Sequence, residues 1–246
     1  MPAQHPLELL VRSLALRSPL TEFDRQAIRA LPHTVQTLDP ASYLVREGET
    51  PYRCGVLVTG FAYRQKITRT GARQIISIHI PGDAVDFQNI YLDVSDHNVQ
   101  LLTRAKVAFV PREAFQNLAR DNERIATAIF VKSLIEGSIF REWVVNVGRR
   151  AARERIAHLL CELGARLDAM GLAEQYGYEL PMTQEELGDA VGLTPVHVSR
   201  TLKELASDGL IVRNRRSIAF PDWQRIREAG DFYERYLHFA PQDSAG

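Results

Sequence analysis

The stretch from Thr183 to Leu205 leaves the chain few ways to fold locally. Thr183 precedes an apolar-periodic run and Glu186 stands three residues later, the spacing of a capping box that opens a helix. Leu187, Ala190 and Val191 give that helix one apolar face, and Gly192 sits where a tight turn is needed. Thr194 then caps a second helix over 195–207. Pro195 takes its first position, where a missing N–H costs nothing. Val198, Leu202 and Leu205 form the buried face, which leaves His197, Ser199, Arg200 and Lys203 outside. The pattern predicts a helix-turn-helix whose second helix carries polar groups suited to a DNA major groove.

The residues beyond Leu205 separate this reading from two core helices joined by a glycine. Asp208 to Arg213 ends the second helix and opens a strand, Asn214 to Ser217 makes a turn, and Ile218-Ala219-Phe220 returns. The pattern predicts a two-stranded wing bearing Arg213, Arg215 and Arg216. Between Thr194 and Arg216 five basic residues face two acidic ones, in a chain with a formal net charge of zero. The basic charge is therefore placed rather than general, as phosphate contact by one face requires.

Upstream the rhythm differs. From Tyr43 to Pro111 short runs rich in Val, Ile, Phe and Tyr alternate with glycine-containing turns, among them Thr70-Gly71-Ala72 and Pro81-Gly82-Asp83. Residues 56–58, 61–65, 75–80 and 106–110 read as strands of an antiparallel roll or barrel. Residues 7–31 read as helical, with Leu9, Leu10, Leu14 and Leu16 apolar.

A proline-free helix then runs from Glu123 to about Val147, with Ile125, Ala128, Ile129, Ile135, Ile139, Trp143 and Val147 near heptad spacing. Such a stripe serves equally as an internal core face or a coiled-coil seam. The helix length, beside a DNA-reading motif, favours a dimer seam on Ile125, Ile129, Ile135, Ile139 and Trp143. A hinge is expected where Asn146 to Arg149 breaks the helix, and a further amphipathic helix over 151–170 and a loop over 171–178 precede the motif. The fold class is α+β in three parts: an N-terminal roll (1–122), a long helix with hinge (123–148) and a winged helix-turn-helix domain (149–246).

The chain is long enough to bury two cores. No run approaches the roughly 18 apolar residues of a membrane span. Met1 to Pro6 shows no secretory pattern, so a cytoplasmic protein without membrane partners is expected. The only cysteines, Cys54 and Cys161, are too few for a four-cysteine iron–sulfur cluster. No phosphate-cradling glycine loop, HExxH or G-x-S-x-G occurs, so the chain is not expected to be an enzyme.

A roll, a long connecting helix and a winged helix-turn-helix, in that order, resemble the Crp/Fnr family of bacterial transcription regulators. The most specific parts are Arg153-Glu154-Arg155-Ile156-Ala157 and the run from Gly192 to Leu202, with Gly60, Gly71 and Pro81-Gly82-Asp83 matching turns of the roll. The resemblance implies a homodimer on a pseudo-palindromic site in double-stranded DNA, with RNA polymerase as a further partner. It places guanine recognition on Arg200, the commonest specific contact, with Val196, Ser199 and Lys203 beside it. Relatives often carry Glu where Val196 stands; valine meets a thymine methyl but accepts nothing from cytosine. Thr183, Thr194 and His197 match phosphate-touching positions, joined by the wing arginines.

For the roll, the resemblance maps the cyclic AMP phosphate positions onto Asp86-Phe87 and Val99-Gln100, and the base-facing positions onto Phe140 and Arg141. These six mark the candidate effector pocket. An acidic Asp86 without a partner arginine would repel a cyclic phosphate, so no cyclic nucleotide is expected, and no other cofactor is predicted. Haem through His79 or His97 and a metal at Asp83, Asp86 and His97 are the weaker alternatives. A small metabolite, with Phe87, Tyr91 and Phe140 lining an apolar pocket, or no ligand at all, takes the larger share. The competing functional reading is a small-molecule or haem sensor whose DNA binding depends strictly on its effector.

Overall fold

The N-terminal segment builds two helices, α1 (Glu8–Ala15), which buries Leu10, Val11 and Leu14, and α2 (Glu22–Arg29), which buries Ile28, in a computed structural model that describes residues 5–173 and 176–239. Met1 to Gln4 and the middle of the expected 171–178 loop, Glu174 and Gln175, lie outside the described residues. Thr21 divides the pair by capping α2, its hydroxyl accepting from the Asp24 N–H while Asp24 accepts from the Thr21 N–H.

Eight strands come next: β1 (Thr34–Leu38), β2 (Tyr43–Val45), β3 (Arg53–Thr59), β4 (Ala62–Ile67), β5 (Arg73–His79), β6 (Ala84–Val85), β7 (Asn98–Leu101) and β8 (Ala105–Pro111). They pair antiparallel into two four-stranded sheets, ordered β1-β8-β3-β6 and β2-β7-β4-β5. Leu57, Val85, Val99, Leu101, Val107 and Phe109 close the space between the sheets, as expected of a roll.

The chain leaves the roll through α3 (Arg112–Asp121) and enters α4 (Glu123–Arg149), whose first turn is capped by Asn122. The C-terminal part comprises α5 (Ala152–Ala169), β9 (Tyr178–Glu179), α6 (Gln184–Val191), α7 (Pro195–Ser207), β10 (Val212–Asn214), β11 (Ser217–Ala219) and α8 (Trp223–Ala229), then a 3-10 turn over Glu234–Leu237. The wing has three strands rather than two, ordered β10-β11-β9. Tyr178 anchors the added strand by donating its hydroxyl to the Leu160 carbonyl at 2.9 Å.

Two expectations for α4 are corrected. The stripe assigned to a dimer seam faces inward. Ile125, Ile129, Ile135, Ile139 and Trp143 are all buried within the single chain, the first two against α1, α3 and the roll, the last three against β5 and α5. Trp143 is further held by its indole N–H, which donates to Glu162 at 3.0 Å. The apolar residues that α4 leaves exposed are Phe130, Leu134, Phe140, Val144 and Val145. The helix also does not break at Asn146. It runs to Arg149, because Asn146 is tied to the Arg155 carbonyl (3.2 Å), and the extended backbone falls at Arg150 and Ala151. Glu154 accepts from the Ala151 N–H and starts α5 there.

Candidate nucleic-acid interface and interior of the roll

Local chemistry builds the helix-turn-helix as its sequence indicates. The Thr183 hydroxyl accepts from the Glu186 N–H and Glu186 accepts from the Thr183 N–H, so two orphan donors of α6 are satisfied reciprocally. Thr194 accepts from the His197 N–H at 3.3 Å and starts α7. Gly192 takes a left-handed φ of 68°, which a glycine adopts without penalty. A second glycine carries no signal in the sequence: a Cβ on Gly188 would stand 2.4 Å from the Leu193 carbonyl oxygen. Only its absence lets the turn fold back on α6.

Val198, Thr201, Leu202 and Leu205 bury the inner face of α7 against α5 and α6. On the outer face Val196, His197, Arg200 and Lys203 are exposed, with Ser199 half-buried beside them. Gln184, Pro195, Val196, Ser199, Arg200 and Lys203 line one shallow open groove, so the four candidate base readers share a surface. Arg213, Arg215 and Arg216 are exposed on the wing, and Arg215 is held at φ 53° at its tip. No ion pair among the described residues involves Arg200, Lys203 or the three wing arginines. Basic residues nearby are neutralised: Arg153 pairs with Asp208, and Arg73 with Asp189 at 2.6 Å.

The six residues assigned to an effector pocket are not brought together, which corrects that expectation. Phe87 packs edge-on against Phe115 at 5.5 Å between centroids, and Val99 is buried between the sheets. Gln100 accepts from the Tyr63 hydroxyl and donates to the Ala41 carbonyl. Phe140 is half-exposed and Arg141 exposed, on α4. Matching positions along a chain does not say which way each side chain points.

Asp86 is buried and has the partner that the sequence reading denied it. Arg64 donates to its Oδ1 at 2.5 Å and His97 lies 2.9 Å from the same oxygen. Burial alone would raise its pKa; Arg64 and then His97 outweigh that and hold the carboxyl below its usual range. Asp83 is likewise held down, against burial, by Lys132 (2.7 Å) and Arg166 (3.1 Å). These two pairs tie the roll to α4 and α5. Asp83 and Asp86 therefore serve ion pairs and His97 hydrogen-bonds to Asp86, and no metal-type group of three such side chains occurs among the described residues. The second ring nitrogen of His97 meets Asp96 at 2.6 Å. His79 is buried with its Nε2 unpartnered, and burial together with the Arg64 charge lowers its pKa to about 3.

These two halves define an antiparallel roll joined to a winged helix-turn-helix. Residues 35–122 match the model of the cyclic nucleotide-binding domain, and residues 154–229 that of the Crp-like helix-turn-helix domain. The transcriptional activator protein FnrL of Cereibacter sphaeroides is 32% identical over 183 residues, covering 71% of this chain and 72% of that protein. The nitrogen fixation regulation protein FixK of Rhizobium meliloti is 27% identical over 190 residues, covering 76% and 82%. Among solved structures, FixK2 from Bradyrhizobium japonicum superposes with a TM-score of 0.74 at 26% identity, covering 81% of this chain and 98% of that one. The chain belongs to the Crp/Fnr family of DNA-binding transcription regulators.

The phosphate positions hold an ion-paired Asp86, two apolar residues and a glutamine engaged with its neighbours, so no cation waits for a cyclic phosphate. Cys54 and Cys161 are both buried, one in the roll and one in α5, and burial pushes both thiols up. No helix of the described residues is long and apolar enough to cross a membrane.

Proposed function

We propose that the protein is a homodimeric, sequence-specific regulator that sets α7 of each copy into successive major grooves of a pseudo-palindromic site. What carries this reading is the exposed basic surface on α7 and the wing, without ion pairs among the described residues, in a chain whose formal charges sum to zero. Arg200 reads guanine, with Val196, Ser199 and Lys203 reading beside it. Thr183, Thr194, His197, Arg213, Arg215 and Arg216 hold phosphates.

The dimer seam is the exposed stripe of α4. Phe130, Leu134, Gly137, Arg141, Val144 and Gly148 recur at a three–four spacing, and large apolar residues left in water on one long helix call for a partner helix. The protein acts in the cytoplasm, without catalysis, cyclic nucleotide, iron–sulfur cluster or haem, and it contacts RNA polymerase on the DNA.

One observation favours strict dependence on an effector. Arg73 and Gln74 of β5 grip α6, through the Asp189 carboxylate and carbonyl at 2.6 and 2.7 Å, so the roll holds the DNA-binding unit directly. In vitro selection from random duplexes, with no added ligand, tests both readings. An inverted repeat with half-sites one helical turn apart supports a constitutive regulator. Salt-sensitive binding without sequence preference supports the effector-dependent one. No binding at low salt overturns both.

A further inference from the structure

Beyond α8 the chain turns back on the molecule. Gly230 to Phe239 runs from the DNA-binding unit across α5 and α4 to the residues that follow α1. Phe232 and Leu237 seat it, 1% and 0% exposed. Near its start Asp231 pairs at 3.1 Å with Arg150, where α4 gives way to α5, and Arg150 also holds Glu142 of α4 at 2.6 Å. The Gly230 carbonyl lies 3.0 Å from Nδ1 of His158 on α5, whose ring stacks on Tyr236. At the far end the Leu237 carbonyl accepts from Arg17 Nε at 2.9 Å, and the Arg17 guanidinium stands over the Phe239 ring at 4.9 Å.

One buried carboxyl group gathers these elements. Glu162 of α5 is 0% exposed. It accepts from the Tyr236 hydroxyl at 2.9 Å, from the Trp143 indole N–H of α4 at 3.0 Å and from Arg166 at 3.4 Å. Arg166 donates in turn to the Ile78 carbonyl of β5 at 2.9 Å and to Asp83. A carboxyl group so deeply placed is tolerated only with its lone pairs occupied. Its donors come from the C-terminal segment, the long helix and α5, so satisfying it fixes those three relative to one another. Neither Glu162 nor Tyr236 lies in the helix-turn-helix or the wing, so both act on DNA only through position.

We propose that Glu162 and Tyr236 are positioning residues for DNA binding: they fasten Gly230 to Phe239 as a strap that sets the angle of the winged unit on α4. The chain itself passes between the two through extended backbone at Arg150 and Ala151, which fixes no angle alone. That angle matters because two copies of α7 must meet half-sites one helical turn apart. With 18 residues α5 is about 27 Å long, so a swing of about 10° at Arg150 moves its far end by about 5 Å. That exceeds the roughly 3.4 Å between successive base pairs. The hold of the strap on the winged unit stands by itself; its effect on half-site spacing rests on the dimer and the α7 reading proposed above.

Two measurements on the full-length protein test it, with Tyr236→Phe, which keeps the ring and removes only the hydroxyl, and Glu162→Gln as an independent second variant. The first is competition between the selected inverted repeat and repeats lengthened or shortened by one base pair. Both variants should lose at least fivefold of the parent's preference for one spacing, while affinity for a duplex with a single half-site stays parental. A role in stability alone leaves the spacing preference in place. The second needs no DNA: native-state trypsin cleavage after Arg149 and Arg150 should quicken at least fivefold in both variants, with cleavage in the roll unchanged. If the parent shows no preference for an inverted repeat, the function proposed for α7 fails and the cleavage result alone decides on the strap. Parental cleavage at Arg149 and Arg150, acceleration equal at every site, or a parental spacing preference in both variants overturns the proposal.

Discussion

The outer face of α7 and the junction beneath the roll use charge in opposite ways. On α7 and the wing, Arg200, Lys203, Arg213, Arg215 and Arg216 are exposed and make no ion pair among the described residues. At the junction, Asp83, Lys132 and Arg166 are withdrawn from water and paired between the roll, α4 and α5, and Asp86 is paired with Arg64 inside the roll. An exposed unpaired cation costs the fold little and remains available to a phosphate. A buried pair contributes little net stability but is costly to halve. The first region is thus arranged for a partner, the second for holding the parts of the chain in one arrangement.

The largest expected effect tests that contrast directly. Asp83→Ala leaves Lys132 and Arg166 buried without their carboxylate and should cost about 3–5 kcal/mol of stability, read from denaturant unfolding. Loss below about 0.5 kcal/mol, the range of ordinary surface changes, would erase the distinction between the regions.

Next come the two faces of α4. Ile135→Ala should destabilise the fold by about 2–5 kcal/mol through a cavity. Leu134→Arg, one residue away on the exposed face, should leave unfolding of the protomer nearly unchanged and shift sedimentation toward monomer. A Leu134→Arg dimer of parental strength breaks the seam assignment.

Acid should act on the buried groups rather than on the outer face of α7. His79 folds with a pKa near 3, below its unfolded value of about 6.5, so the unfolded chain takes up its proton first. Stability from this group is therefore present above about pH 6.5 and lost as pH falls toward 3. His158, lowered by burial and then by Arg150, adds the same sign. Asp83 and Asp86, depressed in the folded state, contribute stability above about pH 3.9 that is lost below it. His79→Leu should flatten the slope of the unfolding midpoint between pH 6.5 and 4; an unaltered slope rules out its part.

The smaller effects belong to the outer face. Arg200→Ala should lose about 1–3 kcal/mol of discrimination at one base pair per half-site, measured by competition with single-base variants. Arg215→Ala should weaken binding to all sequences and reduce the salt slope by about one unit. If Arg200→Ala shows unchanged preference, α7 does not read through that residue.

Much of the helix-turn-helix was legible because its signals are local. A hydroxyl at a helix start, a glutamate three residues on and a proline at the first position act within one turn of backbone. Gly188 escaped notice because its necessity lies in a carbonyl five residues away. The third wing strand escaped because Tyr178 and Glu179 form too short a run to show a period. Asp86 looked unpaired because Arg64 is distant in sequence and meets it only when the roll closes.

The order of the parts, the caps and turns of α6 and α7, and the local excess of basic charge near them are properties of the sequence by itself. Each depends on residues within a few positions of one another. Which stripe of α4 faces inward, where the long helix ends and which charges are paired were decided only by tertiary structure. α4 carries apolar residues on two faces, and periodicity states how they recur without naming the surface that covers them. That surface is built by β5, α5 and the N-terminal helices, whose arrival buries Trp143 against Glu162 and leaves Phe130 and Leu134 outside.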